Sequence, residues 1–150
     1  MTNTATPTPG TTGAVGRPVI ALPTDDGSAT TESGALVRVT ASDLREAGVA
    51  VSRVRQENPD GTVVLLDVDV HLAPDFRTAL KEAAALSEQP TGRVRYVGTP
   101  SGLAGFVTDI RAAGVADGVV AIAIGKSADL APLVRDAVAP LLACDVADVA

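Results

Sequence analysis

Apolar residues come along this chain in short runs, and amphipathic stretches separate the runs. Val19-Ile20-Ala21-Leu22 is an apolar run stopped by Pro23 and predicts a buried strand. Leu36 to Val39 predicts a second strand. Thr40 or Ser42 can cap the helix that follows, with Asp43 and Glu46 in its first turns. Leu44, Ala47, Val51 and Val54, three and four apart, form the stripe of that helix expected to be buried. Asn58-Pro59-Asp60-Gly61 is a turn: proline presets φ, and glycine accepts a positive φ.

Val63 to Leu72 begins as a continuous apolar strand and then alternates. A helix from about Pro74 to Leu86 is expected to turn Phe76, Leu80, Ala83 and Ala84 inward, and Gln89-Pro90-Thr91-Gly92 breaks it. Val94 to Val97 is a short strand. Thr99 caps the next helix with Pro100 at its first position. Leu103, Phe106, Val107 and Ile110 line one face of it, and Gly114 suits its left-handed end. Val119 to Ile124 is apolar on both faces, as a parallel strand covered by helices should be. A last helix from Ser127 or Asp129 is expected to bury Leu130, Leu133, Val134, Val138 and Leu141, with Pro140 kinking or ending it.

Strands and helices that alternate in this way predict an α/β fold with a parallel sheet. Residues 1 to 16, rich in Thr, Pro and Gly, read as a disordered tail, leaving 17 to 150 as one domain. A closed eight-fold barrel takes ~250 residues, so the expected architecture is a parallel (β/α) half-barrel. A half-barrel would leave open edges near Val19–Leu22 and Val119–Ile124, and such edges invite a partner strand.

Charge narrows the partners. A net charge of −6 with scattered Lys and Arg argues against nucleic acid, whose binding needs a basic surface. Aromatics are Tyr96, Phe76 and Phe106, too few for a base-stacking platform. No apolar run reaches the ~20 residues that span a bilayer, and no basic region precedes an apolar stretch at the N-terminus. The expected setting is the cytoplasm, with no membrane partner. Cys144 is the single cysteine and lies among apolar and acidic neighbours, which do not favour a thiolate.

Asp67, Asp69 and His71 alternate on one strand, so their side chains share a face. Two carboxylates and the chain's only imidazole are candidate metal ligands or acid–base groups. A spacing of ~7 Å between alternate strand residues makes joint chelation of one ion awkward, and the plain reading is a polar strand end or barrel lumen. Gly125-Lys126-Ser127 lies between strand and helix but lacks the glycine spacing of a P-loop, leaving at most a weak anion site. No G-x-S-x-G elbow occurs, and the catalytic residues are unknown at this level.

The segments R-P-V-I-A-L-P, V-L-L-D-V-D-V, V-G-T-P-S-G-L-A-G-F, A-A-G-V-A-D-G-V-V and L-V-R-D-A-V-A-P-L-L occur in one order. As an ordered set, over about residues 17 to 143, they resemble the C-terminal half of luciferase-like flavin-dependent monooxygenases. The resemblance implies half of a TIM barrel and an oxidoreductase or monooxygenase activity with FMN or the deazaflavin F420. It implies that Gly27 and Ser28 hold the flavin phosphate. Independently of the resemblance, the open edges of a half-barrel point to assembly, as a homodimer or with a second half-barrel chain. Asp25 and Asp26 beside them oppose a phosphate dianion and support an alternative, a non-catalytic scaffold or partner subunit without flavin.

Overall fold

The computed structural model describes residues 18–23, 36–58, 61–86, 91–124, 130–144 and 146–149. Their strands are β1 (Val19–Pro23), β2 (Leu36–Val39), β3 (Val63–Leu72), β4 (Val94–Gly98), β5 (Gly118–Ala123) and β6 (Val146–Val149). The helices are α1 (Leu44–Glu57), α2 (Phe76–Leu86), α3 (Pro100–Ala112), α4 (Leu130–Leu133) and α5 (Ala139–Leu142), the last two joined by a π turn over Val134–Val138. The class is the one expected: α/β, with every strand pair parallel, consistent with a parallel (β/α) half-barrel.

β2, β3 and β5 stand side by side in chain order. β1 pairs with β5 in the interior of the sheet, and β6 adds outside β1. The segments expected as open edges therefore pair with each other, and the edges fall at β2, β4 and β6. Both are apolar on both faces, so an interior position covers their side chains and pairs their backbone. Close approach is built in at Gly118, where a Cβ would overlap the Val19 carbonyl.

β3 is the longest strand and shares one edge between two partners. β2 pairs with its residues 63–66 and β4 with 68–72. Alternate residues Val64, Leu66, Val68, Val70 and Leu72 enter the main core with Ile20, Val119, α1, α3 and the C-terminal helices. The other face carries a smaller cluster of Ala21, Leu65 and Val120. From β3 to β4 the chain steps opposite to its steps from β2 to β3 and from β4 to β5. Right-handed crossovers then place α2 on the face opposite α1 and α3. The bond from Glu82 of α2 to His71, which projects from that second face, agrees with this.

α1 is capped by Asp43, whose carboxylate accepts from the Glu46 N–H, while Glu46 reaches back to the Ser42 N–H and hydroxyl. Neither expected cap serves: Ser42 donates to the Glu46 carboxylate, and Thr40 donates to Asp67. Ala47 and Val51 are buried, but Leu44 is exposed. In α2 only Ala79 and Ala83 are buried, and Phe76 and Leu80 stand in solvent, because α2 meets the sheet through small residues. Leu103, Val107 and Ile110 of α3 are buried as expected, and Phe106 packs half-buried against Tyr96 at 5.3 Å between ring centres.

Pro140 does not end the C-terminal helix. Its ring cannot sit over the carbonyl four residues back and it has no N–H to give, so the preceding turn widens into a π turn. That turn advances the phase, and Leu142 is buried where Leu141 was expected. The Ala139 N–H donates to Val134 O across it. β6 has no counterpart in the sequence reading.

Candidate functional site

Asp67, Asp69 and His71 occupy successive positions on the second face of β3 and are 7%, 7% and 9% exposed. Buried charge requires partners, and each of the three has its own, drawn from a different element. Arg38 of β2 donates Nε to Asp67 Oδ1 at 2.9 Å, and Thr40 donates its hydroxyl to Oδ2 at 3.1 Å. Arg93 donates Nε to Asp69 Oδ1 at 2.8 Å, and the Thr91 hydroxyl donates to Oδ2. His71 Nε2 meets Glu82 Oε1 at 2.9 Å.

The two carboxylates thus do a structural job. Asp67 fastens the exit of β2, and Asp69 fastens the entry to β4, at the point where one partner of β3 gives way to the other. Among the described residues no three His, Cys, Asp or Glu side chains converge to hold one metal ion. Gly27 and Ser28, the phosphate candidates, lie outside the described residues, as do Asp25, Asp26 and Gly125 to Ser127.

His71 differs from the two aspartates because it borders a cavity of about 480 Å³. The floor is the end of β3 and its exit turn, Leu72, Ala73 and Pro74. Glu82 of α2 borders it on one side. Pro100, at the start of α3, and Leu130 and Leu133 of α4 border it on the other. This place follows from the winding. The chain leaves β3 toward one face of the sheet and leaves β4 and β5 toward the other, and such diverging connections open a crevice outside the carboxyl ends of the strands. The volume lies within the range of small-molecule sites.

Tyr96 and Phe106 stack on each other and not over the cavity, and no Lys or Arg of the described residues lines it. Burial raises the Tyr96 phenol above its ordinary value. At the opposite end of the sheet Asp117 is a hub that the sequence reading missed. Its Oδ1 accepts from Arg55 at 2.9 Å and Arg111 at 3.2 Å, and its Oδ2 accepts from the Val64 N–H at 2.8 Å.

Glu82, Arg38, Thr91 and Arg93 were also missed. Arg38, a charge inside an apolar strand, was the one visible signal that a carboxylate lay opposite. The sequence matches no family model and no curated protein. No helix among the described residues is long and apolar enough to cross a membrane.

Proposed function

We propose that this chain is a luciferase-like flavin-dependent oxidoreductase or monooxygenase subunit, active only as an assembled dimer or with a second half-barrel chain. The observation that carries the reading is the position of the cavity at the carboxyl ends of β3, β4 and β5, the end at which (β/α) barrels build their active sites. The parallel sheet with β2, β3 and β5 side by side in chain order supports it. FMN or F420 would be shared with the partner, since no Phe or Tyr side chain of the described residues lines the cavity. Phe76 and Leu80, at 59% and 48% exposed on one stripe of α2, offer the association an apolar surface. A cytoplasmic setting without nucleic acid belongs to the same reading.

The test is a native mass spectrum with a visible absorption spectrum of the purified protein. A dimer or heterocomplex carrying the mass and absorbance of a flavin is the expected result. A bare monomer that fails to quench added FMN or to bind F420 refutes it. The second reading, a non-catalytic partner subunit, draws on one observation: Asp67 and Asp69 are neutralised within the chain and unavailable for chemistry.

A further inference from the structure

The cavity beside His71 has a chemistry of its own, independent of any flavin site. Its walls are apolar: Ala73, Pro74, Pro100, Leu130 and Leu133. Its polar groups are His71 and Glu82, joined at 2.9 Å. The next charged groups along that face of β3, Asp69 and Asp67, are held by Arg93 and Arg38. One ring nitrogen of His71 is engaged by Glu82, and no described residue bonds the other. In the neutral ring, a carboxylate on Nε2 holds the proton there and leaves Nδ1 as an acceptor. The imidazole side chain is 10% exposed and borders the cavity.

We infer that the cavity binds a small, mainly apolar molecule bearing one hydroxyl, a phenol or an alcohol, which donates to His71 Nδ1. The apolar walls take the hydrocarbon body, and the single acceptor selects the hydroxyl. Glu82 is a positioning residue: it fixes the tautomer without touching the ligand's hydroxyl. A hydroxyl on such a ligand strengthens binding about five-fold over the same molecule without it, the usual net effect of one neutral hydrogen bond.

Because His71 is the only histidine, a ¹⁵N-imidazole spectrum of the full chain reports this one ring. The probes are p-cresol, toluene and benzylamine. The free protein should show the Nε2–H tautomer. p-Cresol should shift the Nδ1 resonance saturably and bind about five-fold more tightly than toluene. His71→Gln should bring the two affinities together, and Glu82→Gln should mix the tautomers and weaken p-cresol alone. Leu133→Trp, which fills the cavity from its far wall, should weaken both. Absence of a saturable shift, equal binding of p-cresol and toluene, or indifference to Leu133→Trp overturns the inference. Tighter binding of benzylamine overturns it too, since the Glu82 carboxylate would then be the recognition group. Should His71→Gln fail to fold, the wild-type comparison and Leu133→Trp decide.

Discussion

Replacing Asp117 with alanine should be among the most damaging single changes outside the apolar core. The side chain holds three donors from three elements: Val64 N–H at the start of β3, Arg55 of α1 and Arg111 of α3. Val64 has no exposed surface, so its N–H cannot turn to water, and an orphaned buried donor costs about 1–3 kcal/mol. The Arg111 side chain is 17% exposed and loses a partly buried charge partner, for about 1 kcal/mol. Arg55 is 41% exposed and screened, so it adds only a few tenths, roughly, of a kcal/mol. The sum is about 3 kcal/mol, and with a urea slope of about 2 kcal/mol/M the midpoint should fall by about 1.5 M. Asp117→Asn keeps an acceptor for Val64 and loses only the charge, so its midpoint should fall by about 0.5 M. Urea titrations followed by circular dichroism measure both. Equal losses in the two variants, or a fall below about 0.3 M for alanine, would refute the assignment of most of the effect to the backbone bond.

Three further outcomes follow from local geometry. Asp75 accepts from the Thr78 N–H at 2.8 Å and its hydroxyl at 2.9 Å, and these bonds, the backbone one first, hold its carboxyl below the ordinary value. A depressed value means that the cap stabilises α2 above the unfolded-state pKa and is lost as pH falls through the folded one. Amide exchange in the first turn of α2 should accelerate over that acid range, and Asp75→Asn should abolish the dependence. Tyr96 is the only tyrosine, so phenolate absorbance should titrate above the ordinary ~10 in the native protein and return to it in urea. Leu142→Ala should cost about 2–4 kcal/mol and Leu141→Ala under about 0.5 kcal/mol, since the π turn buries the first and exposes the second; thermal melts that rank them the other way would remove the π turn from the account.

The alternation of apolar runs with amphipathic stretches made five strands and their helices legible, because burial on both faces of a strand leaves a continuous apolar run and burial of one helix face leaves a period of three and four. Strand order was not legible. Nothing in Val19–Leu22 says that it will pair with Val119 and its neighbours, since both runs are equally apolar and the register is decided by Gly118 and the Val19 carbonyl. The helix faces went astray where tertiary context outweighed periodicity. Phe76 and Leu80 have the better pattern, but Ala79 and Ala83 have the size that lets α2 approach the sheet. The alternation of Asp67, Asp69 and His71 announced a polar face. It could not announce that Arg38 and Arg93 would claim two of the three and leave the imidazole to a cavity, because those partners arrive from other elements.

β1 sits in the interior of the sheet, with Ile20 beside Val119 on one flank and Val146 on the other. During synthesis this strand emerges first and finds both neighbours last. Until β5 has been made, its apolar residues have no native strand to pair with, and the long loop that must close makes this pairing slow. An emerging chain therefore carries an unmatched, aggregation-prone strand for most of its synthesis, and a nascent-chain binding factor would be expected to dwell there.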